Sequence, residues 1–140
     1  MPKKYIPKTT QTALEKLAKG CCEYCKLLQK YYAPTFTNEH IIPTILGGSD
    51  ELNNLAKACF ACNLSKGKVI TAVDPETNQS VPLFHPRKDN WENHFKWSED
   101  FLKVIGKTPT GRATIVRLKM NRPQNINIRT VTLGHGHPPE

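Results

Sequence analysis

Apolar residues first recur at a helical interval near the start of the chain. Ala13, Leu14, Leu17 and Ala18 share one face and predict a helix over residues 9–19. Thr12 and Glu15 read as its capping box and Gly20 as its stop, with residues 1–8 an extended arm. Residues 27–32 suit a short helical segment. The pattern then changes: residues 35–42 carry β-formers and predict a strand that Pro43 ends. Residues 55–58 read as a short returning strand, and residues 63–68 as the start of a helix. Residues 71–82 are polar and punctuated by Asp74-Pro75 and Asn78, which predicts an exposed connector. Residues 93–97 and 101–106 can pair as a hairpin. Thr110 then caps a helix over residues 111–121, which Pro123 stops. The tail containing His135 and His137 reads as loose. His85 and His94, set among Phe84, Trp91, Phe95 and Trp97, read as core packing.

The chain has 140 residues, a formal net charge of +8 and a pI of about 9.4. That length suits one domain, divided here into an arm and helix (1–19), a central segment (20–70) and a basic extension (71–140). The charge balance points to an anionic partner, nucleic acid above all. There is no apolar run long enough for a membrane span, and the basic N-terminus lacks the apolar core of a signal peptide. The expectation is a cytoplasmic protein with no membrane partner.

In a reducing compartment, five cysteines argue against a disulfide framework. Cys22-x-x-Cys25 and Cys59-x-x-Cys62 place two thiolates on each of two turns, the ligand set of a closed structural zinc site. Cys21 has no partner at that spacing and reads as a buried thiol. Such a zinc clamps the two ends of the central segment together and fixes what lies between.

Between the pairs stand Glu39, His40 and Asn54, with Asn63 just after Cys62. Phosphodiester hydrolysis needs a base for water and a cation for the charge that develops on the phosphorane and the departing oxygen. A neutral histidine can be the base, and a carboxylate with an amide carbonyl can hold a hard divalent ion. His40 is the candidate base; Glu39 and Asn63 are the candidate ligands for Mg2+ or Mn2+. Neighbours on a strand face opposite ways, so Glu39 and His40 need a local bend to act together. Lys66, Lys68 and Arg87 lie nearest in sequence for phosphate contacts. Arg112 and Arg117 belong to a basic helix that could hold more.

The series Cys-x-x-Cys, Glu39-His40-Ile41-Ile42-Pro43, Gly47-Gly48, Asn54-Leu55 and Cys59-x-x-Cys62-Asn63-x-x-Lys66-Gly67 resembles the HNH endonucleases with zinc knuckles. The resemblance covers residues 20–68, and a weaker one extends over Phe84-His85-Pro86-Arg87, Trp91-x-x-His94-Phe95-x-Trp97 and Gly111-Arg112-Ala113-Thr114. It implies an α+β fold: a ββα-metal core stapled by a four-cysteine zinc site, with an N-terminal helix and a C-terminal hairpin-plus-helix extension. It implies His40 as general base and Asn54 as the residue that holds the loop so the histidine is oriented. It implies Glu39 and Asn63 as ligands of the catalytic divalent metal, in a His-Asn-Asn variant, and Lys66 as a phosphate contact. The implied activity is cleavage of double-stranded DNA to 5′-phosphate and 3′-hydroxyl ends; oligomeric state stays open. The competing reading is a zinc-knuckle module that binds nucleic acid without cutting it.

Overall fold

The structure, a computed structural model, describes residues 6–139. The proposed arm lies mostly outside them. Helix α1 (Lys8–Ala18) begins one residue earlier than the pattern suggested, after Pro7, and the Thr12–Glu15 capping box is not used. Lys19 takes a left-handed conformation that ends the helix, followed by Gly20 at φ 75°. The segment at 27–32 contains a single 3-10 turn, Gln29–Tyr31.

Strands β1 (Thr37–His40) and β2 (Leu55–Ala58) pair antiparallel, with Thr37 opposite Ala58 and His40 opposite Leu55. All four residues of β2 are buried, because the first knuckle packs against it as well as β1. The Glu23 carboxylate accepts the Lys57 amide at 2.7 Å, and Glu23 N–H donates to Lys57 O at 2.9 Å. Helix α2 (Phe60–Lys66) follows directly. Its N-cap is Cys59, whose Sγ accepts the Cys62 amide at 3.4 Å, so Asn63 sits inside the helix rather than at its cap. Hairpin and helix make the ββα unit that the sequence led us to expect.

The exposed connector at 71–82 is instead a second hairpin, β3 (Thr71–Val73) with β4 (Ser80–Pro82). Its turn is built on Asp74, which is fully buried and accepts the Glu76 amide and the Thr77 hydroxyl. Arg112 grips the same carboxylate with two bonds of 2.9 Å. That pairing holds the Asp74 carboxyl well below the usual carboxylate range.

The extension holds a short helix α3 (Trp91–His94), the hairpin β5 (Phe95–Trp97) with β6 (Val104–Gly106), and helix α4 (Pro109–Leu118). Thr108, not Thr110, caps α4: its hydroxyl accepts the Gly111 amide at 3.0 Å and Pro109 opens the first turn. A Cβ at Gly111 would stand 2.1 Å from the His94 carbonyl oxygen, so glycine is what lets α4 lie against the end of α3. Pro123 does not simply end a helix. It opens another, α5 (Pro123–Thr132), where the sequence suggested a loose tail. The tail itself is docked: His137 is buried, its ring 2.6 Å from the Phe101 carbonyl and edge-on to Trp97.

One cluster of buried side chains runs from the knuckle cysteines and Tyr24 through Phe84, Trp91 and Phe95 to Leu118 and Met120. Arg129 of α5 reaches its centre at 1 % exposure. The guanidinium donates to the carbonyls of Leu102, Met120 and Cys25 and to the Asn121 side chain, and it lies over the Trp97 ring. The last helix is thereby tied to the first knuckle.

Candidate active site and metal centre

The two knuckles meet. The Sγ atoms of Cys22, Cys25, Cys59 and Cys62 all lie within 4.8 Å of one another, and all four residues are fully buried. Four sulfurs bound to zinc at about 2.3 Å stand about 3.8 Å apart at the corners of a tetrahedron. The separation of the Cys25 and Cys59 sulfurs, 3.8 Å, is that edge. Burial pushes the Cys25 thiol well up. The donor set fits a structural zinc, and the Arg129 guanidinium beside it would offset part of the negative charge of a four-thiolate site. Cys21 lies outside the cluster, with its Sγ 3.6 Å from the Lys19 carbonyl.

His40 ends β1, and the chain turns sharply after it. Ile41 N–H still donates to Asn54 O at 2.8 Å, which extends the hairpin by one rung. Asn54 then closes the loop with its side chain: Oδ1 accepts the Ile42 amide, and Nδ2 donates to Ile42 O and Ser49 O, all at 2.8–2.9 Å. The space left is so small that a Cβ at Gly48 would fall 1.7 Å from Ile42 O and 2.8 Å from Asn54 Nδ2. Asn54 thus sets the course of the chain just after the histidine. The half-buried imidazole of His40 meets Asp50 from the end of this loop, Nε2 to Oδ1 at 2.7 Å.

The sequence pattern assigned Asp50 no role. The available signal was an acid two residues beyond a Gly-Gly turn whose ends, Pro43 and Asn54, are both pinned.

Glu39 is the main departure from expectation. β1 stays regular through His40, so the two side chains take opposite faces. The Glu39 carboxylate points inward at 4 % exposure, where Tyr24 Oη donates to it at 2.6 Å and Lys66 Nζ lies 2.6 Å away. Lys66 is itself 1 % exposed and donates to Ile41 O at 2.9 Å. Burial raises the Glu39 carboxyl above its ordinary value despite the ammonium, and burial with that carboxylate nearby pushes the Tyr24 phenol far up. A hard cation at Glu39 would have to displace Lys66, so the pair Glu39 and Asn63 does not form an open ligand set here. Lys66, equally, is no phosphate contact.

A shallow cavity of about 320 Å³ opens beside His40, with Pro43, Thr44, Asn63, Leu64, Gly67 and Lys68 around it; Glu39 contributes to its wall. His40 and Asn63 therefore share a cleft large enough for a phosphate, and Lys68 is exposed at its rim. Of the other basic candidates, Arg117 is exposed and within 3.3 Å of Lys66 O, next to the end of α2. Arg87 is mostly buried in an ion pair with Glu23 and donates to Leu55 O, and Arg112 is neutralised by Asp74 and Glu76. Arg87 braces the extension against the central segment and Arg112 braces α4 against the β3–β4 turn; both charges are taken up by these pairings.

No helix among the described residues is long and apolar enough to cross a membrane. No curated protein and no solved structure was found to match the chain. A family model described as HNH endonuclease matches residues 22–79, from the first zinc-type cysteine through the second hairpin's turn. With the four-cysteine cluster and the ββα arrangement already in place, that match identifies residues 22–79 as a domain of the HNH endonuclease family.

Proposed function

We propose that this protein is an endonuclease that hydrolyses phosphodiester bonds of double-stranded DNA, with His40 as the general base. The observation that carries the reading is the position of His40. Its imidazole stands at the end of a locked strand, fixed by Asp50 on one nitrogen and beside a cleft that also holds Asn63 and Lys68. An imidazole tethered through Nε2 keeps Nδ1 for a water molecule. Nδ1 takes the proton as the oxygen of that water attacks phosphorus; the bond to the in-line 3′ oxygen breaks, and that oxygen leaves with the electron pair and takes a proton from solvent water. The Lys68 ammonium and the Asn63 amide are the groups available to the non-bridging oxygens. The four cysteines would hold a structural zinc that takes no part in these steps; their cluster sets Cys22–Cys25 against the base of α2 and so fixes Asn63 relative to β1. HNH nucleases are generally metal-dependent, and a divalent ion would supply charge neutralisation at the phosphate. With Glu39 committed to Lys66, no step is assigned to such an ion. The shared core of residues 22–120 supports treating the chain as one functional unit, and the reading places its work on DNA in the cytoplasm.

The test is nicking of supercoiled plasmid by wild type and His40→Ala, each with Mg2+, Mn2+ or EDTA. Cleavage by wild type and its loss in His40→Ala at unchanged zinc content and melting temperature supports the reading. Equal cleavage by both proteins overturns it. The engagement of Glu39 by Lys66 favours one alternative, a non-catalytic zinc-knuckle module. That alternative predicts retardation of DNA on a gel with no nicking under any metal condition.

A further inference from the structure

We infer that Asp50 is the positioning residue for His40, selecting the tautomer in which Nδ1 carries the lone pair. The contact is short, 2.7 Å from His40 Nε2 to Asp50 Oδ1, and both side chains are about a quarter exposed at 28 % and 27 %. An ionised carboxylate only accepts hydrogen bonds. The ring nitrogen facing it therefore bears the proton, and the other nitrogen of a neutral imidazole does not. A histidine on a strand end without such a partner keeps both tautomers and rotates about χ2; only one arrangement then presents a lone pair to water.

The backbone that carries Asp50 is fixed from three sides. Asn54 Nδ2 donates to the carbonyl of Ser49, the preceding residue, at 2.8 Å. Ser49 Oγ accepts the amide of Glu51, the following one, at 3.2 Å. Gly48, two residues before, is wedged against Ile42 O and Asn54. The same asparagine that shapes the turn after His40 thus sets the height of the carboxylate, and one closed loop delivers both the base and its orienting acid. The sequence 47–50, Gly-Gly-Ser-Asp, gains a role in this arrangement beyond that of a flexible connector. The kinetic consequence rests on the proposed nuclease activity; the structural consequence does not.

The experiment uses the full chain, zinc-loaded and labelled with 15N-histidine. Long-range proton–nitrogen spectra at pH 8 report which His40 nitrogen is protonated, with His40→Ala assigning the resonance. Wild type is expected to show protonated Nε2 and bare Nδ1. Asp50→Ala is expected to populate both tautomers. In plasmid cleavage, kcat should fall by about 10²-fold while KM for DNA stays within roughly twofold. Asp50→Asn is nearly isosteric and guards against a folding defect. Its amide can donate to Nε2 and drive the proton to Nδ1, so the tautomer reverses and kcat falls as in Asp50→Ala. An unchanged His40 tautomer in folded Asp50→Ala or Asp50→Asn overturns the inference, as does wild-type kcat in both. Should wild type cleave no DNA, the proposed activity fails, and the tautomer shift alone still decides the role of Asp50.

Discussion

Replacing Lys66 by methionine asks what the buried ion pair does. The Nζ–Oε1 distance is 2.6 Å with exposures of 1 % and 4 %, so water screens neither charge. Attraction at that distance is about 6 kcal/mol at an effective dielectric constant near 20. Removing two ions from water costs several kcal/mol each, which leaves the pair as a whole near break-even. The single substitution is different. It strands a carboxylate that only Tyr24 still solvates, and an uncompensated buried charge costs about 3–5 kcal/mol. For a domain of this size that is a fall in melting temperature of roughly 10–20 °C. Glu39→Gln in the same chain keeps an acceptor for Tyr24 Oη and removes the charge, so the double variant should recover more than half of the loss.

The pH dependence has a definite sign. Burial already holds the Glu39 carboxyl above its ordinary value of 4.5 in the native protein, so native Glu39 binds its proton more tightly than the unfolded chain does. Its contribution to stability is therefore greatest below that value and is lost as pH rises through the native one. Without Lys66 the effect grows, and the defect of Lys66→Met should be smaller at pH 5 than at pH 8. Urea unfolding followed by the fluorescence of Trp91 and Trp97 measures all four corners of the cycle. A Lys66→Met protein within about 0.5 kcal/mol of wild type, the ordinary range for a surface change, would refute the reasoning. So would a double variant no more stable than the single one. Stabilisation of Lys66→Met by Mg2+ that Glu39→Gln abolishes would show that an ion can take the ammonium's place.

Three further outcomes follow from the geometry. Zinc measured by elemental analysis should be one equivalent per chain in wild type and in Cys21→Ala; Cys25→Ala should lose it, and wild type stripped by a strong chelator should unfold at lower urea. Because Arg112 holds Asp74 well below the usual range, that carboxylate contributes stability at pH values above its ordinary 3.8 and loses it as pH falls further; urea midpoints should drop less steeply with acid in Asp74→Asn than in wild type. Gly48→Ala drives a methyl into Ile42 O and the Asn54 amide, which should cost about 1–3 kcal/mol and lower plasmid cleavage while zinc content stays constant.

Much of the central segment was legible because its constraints are local. The x-x spacing fixed the zinc-type cysteines, and β2 fell where the sequence placed it because Leu55-Ala56-Lys57-Ala58 leads straight into Cys59. Asn54 was readable as a loop holder because its partners lie within twelve residues. What escaped depends on distant partners or on a face. The period of a strand announced that Glu39 and His40 diverge, but only the packing of α2 shows which turns inward and that Lys66 meets it there. Arg87 and Arg112 looked like free charge; their acids, Glu23 and Asp74, lie 64 and 38 residues away. Pro123 stops a helix and starts one with equal ease, and the choice was made by Arg129, whose carbonyl acceptors no local pattern reveals.

Arg129 also bears on the order in which this protein comes into being. Its bond to the Cys25 carbonyl spans 104 residues, so a ribosome must have delivered α5 before the first knuckle receives this support. A nascent fragment holding only residues 22–79 lacks that cation, the Trp97 ring beneath it and every brace from the extension. A nuclease of the proposed kind would thus gain this support for its first knuckle only once α5 had been made.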